Sequence, residues 1–102
     1  MITRLWRGWT LPDNADAYEG FLTGELFPSM RSIPGFLDAD VLRCPNGDEV
    51  EFVTLTRFES LEAIRAFAGK EYETPVLEPQ ALALLSRYEE RAVHYSTTVF
   101  RP

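Results

Sequence analysis

At 102 residues, 45% of them apolar and 25% charged, the chain has ordinary globular composition and the length of a single domain spanning residues 1–102. Acidic residues outnumber basic ones 16 to 10, for a formal charge of −6, which argues against nucleic-acid partners and against adhesion to an anionic membrane. Cys44 and His94 are the only cysteine and histidine, so an intramolecular disulfide and a cysteine or multi-histidine metal centre are excluded. No run of about 18 apolar residues is present, and no apolar leader with basic flanks opens the chain; a cytoplasmic protein is expected.

Residues 2–10, ITRLWRGWT, are predicted to form the first strand. Its two parity classes are Ile2, Arg4, Trp6 and Gly8 against Thr3, Leu5, Arg7 and Trp9. Each face therefore carries one Trp and one Arg, which a strand with one wet face should not do. Leu11–Asn14 is turn chemistry, with Asp13 or Asn14 as the expected helix cap. Tyr18, Phe21, Leu22, Leu26 and Met30 then make one apolar stripe of a helix of about four turns. Pro28 lies inside that pattern and should kink it or open a second short helical segment. Ile33-Pro34-Gly35 ends it.

The second strand is expected over 36–44. Asp38 and Asp40 suit an edge position, where charge discourages aggregation. Pro45–Asp48 is a hairpin signal, and the third strand runs to Phe58. At Glu59–Ser60 the pattern switches abruptly from period two to period 3.6. Ser60 fits an N-cap, and Leu61, Ile64, Phe67 and Ala68 form the stripe of a helix over about 60–68. Residues 70–79 are the least regular part, bracketed by Pro75 and Pro79; such loops are often functional or mobile. A short helix is predicted for Gln80–Arg87, with Leu82 and Leu85 facing the core. The final strand is predicted over Arg91–Phe100.

The order strand, helix, strand, strand, helix, strand is the βαββαβ pattern of a ferredoxin-like α+β fold with a four-stranded antiparallel sheet. Helices cover one sheet face. Large apolar residues in both parity classes of the first and third strands leave the other face needing cover, which a two-fold homodimer packed sheet to sheet provides.

The chain resembles the antibiotic biosynthesis monooxygenase-like proteins of the dimeric α/β-barrel superfamily. The matching stretches are LWRGWT at 5–10, PGF at 34–36, EFVTLTRFESLEAIRAFAG at 51–69 and VHYSTTVF at 93–100. The resemblance implies a homodimer and a small aromatic ligand held between sheet and helices. It also implies oxidation of that phenolic or anthrone-type ligand by O2 with no cofactor. Two alternatives on the same scaffold are a non-catalytic small-molecule-binding dimer and a cofactor-free isomerase or decarboxylase. Haem-degrading relatives use an Asn in the first strand, a Trp near the second helix and a His on or just after that helix. Here Arg4, Trp6 and Arg7 occupy the first strand, Phe67 the helix and His94 the last strand, so that triad is absent.

The chemistry needs a base, a flat apolar pocket, and donors toward the developing negative charge. His94 is the candidate proton acceptor because it titrates near neutrality, with a histidine hydrogen-bonded at the dimer contact as the alternative. Trp6, Phe58 and Phe67 are candidate pocket walls. Whichever of Arg4 and Arg7 faces inward is a candidate contact for a ligand anion, since an inward Arg is costly unless paired. A salt bridge to one of the acids is the plainer expectation, and Arg4 joins the candidate site on Trp6's parity. Tyr72, in the irregular loop, is a candidate gate or ligand contact. Tyr18 reads as core, and Cys44 as structural.

Overall fold

In a computed structural model that describes all 102 residues, β1 (Ile2–Thr10) runs through the middle of the sheet. On one side it pairs antiparallel with β3 (Glu49–Phe58), and β2 (Phe36–Asn46) extends the sheet beyond β3 as the edge. On its other side lie two short strands, β4 (Leu85–Tyr88) against Gly8–Thr10 and β5 (Val93–Ser96) against Ile2–Leu5. The architecture is the expected ferredoxin-like α+β one, with its last strand divided, so the sheet has five strands where four were predicted.

That division corrects two boundaries. The helix predicted over 80–87 is α4 (Pro79–Leu84), and Leu85 already has extended backbone, φ −81° and ψ 135°. The three-residue spacing of Leu82, Leu85 and Tyr88 imitates a helical stripe, yet these last residues follow strand geometry. Ser86 Oγ donates to Glu49 Oε2 at 2.6 Å and lies 3.1 Å from Trp9 O. Arg87 Nε donates to Glu49 Oε1 at 3.0 Å, and its guanidinium lies 3.8 Å from the Trp9 ring centroid. The strand predicted over 91–100 is also shorter. After β5, Thr97 N–H still donates to Met1 O at 3.0 Å, but the chain then leaves the sheet and Phe100 is 88% exposed.

The first helical stretch is built from several pieces. A 3₁₀ turn at Pro12–Asn14 leads into α1 (Ala15–Phe21). The expected Asp or Asn cap is not formed; Asn14 Nδ2 instead donates to Leu84 O at 3.4 Å, tying α1 to the end of α4. Residues Leu22–Leu26 form a π turn, closed where the Phe27 N–H reaches Leu22 O, and α2 (Phe27–Ser29) follows with Pro28 in its first turn. Pro28 has no N–H to give to Gly24, so the ladder widens there and the second short segment opens.

The β3-to-α3 switch forms as predicted. Ser60 Oγ accepts from the Ala63 N–H at 3.2 Å, and α3 (Leu61–Ala68) ends at Gly69. Gly35, at φ 89°, brings the entry of β2 against α3; a Cβ there would lie 2.8 Å from that of Ala63, and left-handed backbone favours glycine besides.

Alternation along the strands separates two faces. Toward the helices point Ile2, Arg4, Trp6, Gly8 and Thr10 of β1, and opposite them Phe58, Thr56, Thr54, Phe52 and Val50 of β3. The buried side chains on this face form two clusters. One gathers Tyr18, Phe21, Leu22 and Phe52 with two alanines; the other gathers Met30, Phe58, Ala63 and Ile64. On the outer face, Leu5 pairs with Leu55 and Val93, while Leu42, Val93 and Tyr95 are about half exposed. Nothing in the chain covers these residues. No helix is long and apolar enough to cross a membrane.

A cavity between the two halves of the core

Along the buried face of β3 the side chains read Phe52, Thr54, Thr56, Phe58. The two phenylalanines belong to different core clusters. The threonines between them are buried but add no large apolar side chain to either cluster. Opposite them on β1 stand Trp6 and Arg4, paired with Thr54 and Thr56 respectively. Above this floor the helical layer leaves a narrow, part-open cavity lined by both clusters through Tyr18, Leu22 and Met30. Phe21, Leu26 and Phe27, next to or within the π turn, form more of the wall, so the widened helix faces the cavity. Phe67 of α3 and the loop segment Pro75–Glu78 complete it.

Arg4 is the only cation in this lining. It is 4% exposed and makes no salt bridge, which overturns the expected pairing with an acid. Its partners are uncharged. Nη1 donates to Tyr72 O and to His94 Nε2, the latter at 3.0 Å, and Nη2 donates to Thr74 O at 3.0 Å. The Phe67 ring lies 5.7 Å from the guanidinium carbon. Burial lowers the Arg4 pKa to about 10, so the group stays charged at neutral pH. Because Nη1 donates, His94 Nε2 must be the unprotonated nitrogen of a neutral ring. Burial, and then the Arg4 charge, push the His94 pKa below its ordinary 6.5, against a smaller opposing effect from Glu73.

Besides Thr54, Thr56 and Glu78, the lining carries polar groups on Tyr18 and Trp6. The Tyr18 hydroxyl makes no hydrogen bond within the chain, and burial raises its pKa, keeping it an O–H donor. Trp6 lies against Gly8, where a Cβ would come within 3.3 Å of the indole. Its Nε1 donates to Glu89 O at 2.7 Å, in the interruption between β4 and β5. The divided last strand thus anchors one cavity wall.

The six candidate residues therefore separate. Arg4, Trp6 and Phe67 line the cavity. Phe58 does not; it is fully buried, with ring centroids 5.5 Å from Phe36 and 6.1 Å from Phe67. His94 and Tyr72 also lie outside the lining, their rings edge to face at 5.1 Å beside a surface depression, and they reach the cavity only through Arg4. Thr54 and Thr56, which strand alternation alone leaves unremarkable, also line the cavity. Their signal was two small polar residues between two phenylalanines on a buried face. No cluster of three or more His, Cys, Asp or Glu side chains could hold a metal ion.

A split antiparallel sheet with helices on one face and an apolar cavity between them make a ferredoxin-like α+β domain. The model of the antibiotic biosynthesis monooxygenase family matches residues 1–73, and the chain belongs to that family. No curated protein matches the chain. Among solved structures it is similar to SnoaB, a cofactor-independent oxygenase from Streptomyces nogalater, with 23% identity over 99% of this chain and 96% of that one and a TM-score of 0.59. It is similar also to the monooxygenase ActVA-Orf6 of Streptomyces coelicolor in complex with nanaomycin D, with 18% identity, coverage of 99% and 91%, and a TM-score of 0.61. The haem degrader MhuD of Mycobacterium tuberculosis, with haem in its active site, matches at 18% identity over all of both chains with a TM-score of 0.62. At these identities the likeness establishes the fold alone; the family and its structural neighbours include cofactor-independent monooxygenases and a haem degrader.

Proposed function

We propose that this chain is a cofactor-independent monooxygenase that oxidises a small, flat phenolic aromatic with O2 in the cavity between sheet and helices. The observation that carries this reading is Arg4, a buried guanidinium with no carboxylate partner, lining an otherwise largely apolar cavity. A buried charge without a counter-ion is costly, and an anionic ligand supplies the counter-ion. The Tyr18 hydroxyl gives a second, neutral donor.

The ionised ring passes an electron to O2, and the radical pair joins to a peroxide. Its O–O bond breaks as water leaves. In an anthrone the ring CH2 thereby becomes C=O and gives up both hydrogens; in a phenol such as 1-naphthol the two hydrogens come from one ring C–H and the O–H. Either way one oxygen atom enters the product and the other departs as water, with no outside reductant. Water exclusion by Phe21, Leu22, Phe27 and Phe67 strengthens the pull of Arg4 on the anion. His94 acts here as a positioning residue, accepting from Arg4. With its Nε2 engaged there, the sole histidine is not placed in the cavity as a haem ligand, which weighs against haem degradation.

A homodimer packed through the outer sheet face is part of this reading, supported by the half-exposed Leu42, Val93 and Tyr95. The binding-only alternative is favoured by one observation. The lining holds no base apart from Glu78, which is exposed at the mouth.

Oxygen consumption with anthrone and 1-naphthol as probes tests the proposal. One O2 consumed per quinone formed, undiminished after chelator treatment, is expected. Bound probe recovered unchanged under air, with no oxygen uptake, would leave a binding protein instead.

A further inference from the structure

We infer that Arg4 recognises its ligand through two oxygen atoms carried on one edge of an aromatic and sharing a negative charge, rather than through a single ring oxygen. The inference rests on the cavity placement in the proposed function and not on turnover.

A guanidinium has five N–H donors. Three of Arg4's are engaged: both on Nη1, by Tyr72 O and His94 Nε2, and one on Nη2, by Thr74 O. The Nε–H and one Nη2–H have no acceptor within the chain, one on each of two nitrogens that border the same edge. Only two side-chain polar atoms are both sealed from solvent and unpartnered, Trp9 Nε1 and Thr10 Oγ1. Arg4 Nε is therefore unpartnered yet not sealed, on a residue only 4% exposed that lines the cavity. Its engaged donors fix the guanidinium plane, since two carbonyls and a ring nitrogen hold it. A fixed plane with unmatched donors on neighbouring nitrogens suits a fork-like contact with a pair of coplanar oxygens.

Two aromatic classes present such a pair, a ring carboxylate and an ortho-dihydroxy monoanion. The flanking surfaces suit a flat body for either one, with Phe67 beside Arg4 and Trp6 next along β1.

The test is anaerobic calorimetry with three two-ring probes at pH ~8: 2-naphthoate, 2,3-dihydroxynaphthalene and 2-naphthol. At least one of the two-oxygen probes is expected to bind about tenfold tighter than 2-naphthol or more. A preference for 2-naphthoate alone identifies the oxygen pair as a carboxylate that orients the substrate. A preference for 2,3-dihydroxynaphthalene alone identifies it as the reacting edge. Arg4→Lys keeps the charge and removes the fork, and should reduce the preference to within about twofold. Equal binding of all three probes, or a preference that survives in a folded Arg4→Lys variant, would overturn the inference. If that variant does not fold, 2-naphthalenethiolate, a one-atom anion at this pH, replaces 2-naphthol as the charge-matched reference, and the wild-type series with it decides. Tight two-oxygen binding without oxygen uptake would instead defeat the oxygenase reading and leave this inference standing.

Discussion

β1 carries an Arg and a Trp on each of its faces, and the two pairs have opposite surroundings. Arg4, on the helix side, is buried, lacks an acid, and is held by two carbonyls and a histidine. Arg7, on the outer side, keeps about half its side chain in solvent and approaches Glu51 at 3.9 Å. Trp6 has its indole N–H satisfied by Glu89 O and forms a cavity wall. Trp9 is equally buried, yet its N–H has no partner and the Arg87 guanidinium lies over its ring. The inner pair is organised around an empty volume and the outer pair around an unfinished surface. The composition of a strand thus does not tell the two roles apart; what lies across from each residue does.

The largest effect expected concerns the outer face. Leu55→Glu puts a carboxylate on the outer sheet face that a two-fold sheet contact would bury in both copies. Sedimentation analysis should find wild-type dimer and variant monomer, with affinity for 2-naphthoate little changed. A wild-type chain that sediments as a monomer at high concentration would remove the outer-face half of the comparison.

Next comes the matched pair Arg4→Met and Arg7→Met. Loss of a charge-assisted contact in a dry site should weaken 2-naphthoate binding by about tenfold or more for the first. The second should bind normally, with stability changed by no more than about 0.5 kcal/mol. Equal effects would show that burial of Arg4 has no bearing on the ligand. Gly8→Ala is a packing version of the same test. Its Cβ would lie 2.9 Å from Leu85 Cδ2 and 3.3 Å from the Trp6 ring. A loss of about 1–3 kcal/mol is expected in denaturant unfolding, with a shift in tryptophan emission as Trp6 moves off Glu89 O.

The smallest effect is a pH dependence. The folded-state pKa of His94 lies below its ordinary 6.5, so below that value the unfolded chain takes up a proton that the folded chain resists. Stability should fall as pH drops through 6.5, until the folded-state pKa is passed. His94→Gln should flatten this part of the profile. Unchanged pH dependence in that variant would mean that the Arg4–His94 contact is not sensed in the folded state.

Much of the fold was legible because local signals agreed. The strand-to-helix switch at Glu59–Ser60, the hairpin around Gly47 and the edge position of β2 each had both a chemical cause and a matching pattern. The divided last strand was not legible. Leu82, Leu85 and Tyr88 satisfy a helical spacing, and the competing influence is tertiary: Glu49 and the Trp9 carbonyl across the sheet hold Ser86 and Arg87. The site was legible in part. Arg4 and Trp6 stood out because a charged and an aromatic residue of one parity had to face either core or water. That Arg4 would bind the loop carbonyls at 72 and 74 depends on a contact about 70 residues away in sequence, and no local pattern encodes it. His94 drew notice for its chemistry, but its place beside Arg4 follows from strand register alone.

A crystal structure of the chain with 2-naphthoate or 2,3-dihydroxynaphthalene, whichever binds tighter, tests the central claim most directly. The ring is expected between Trp6, Tyr18 and Phe67, with both oxygens on the Nε and Nη2 side of Arg4 and the contacts to Tyr72 O, Thr74 O and His94 intact. A ligand seated on the outer sheet face or in the depression beside His94, with Arg4 untouched, would contradict it.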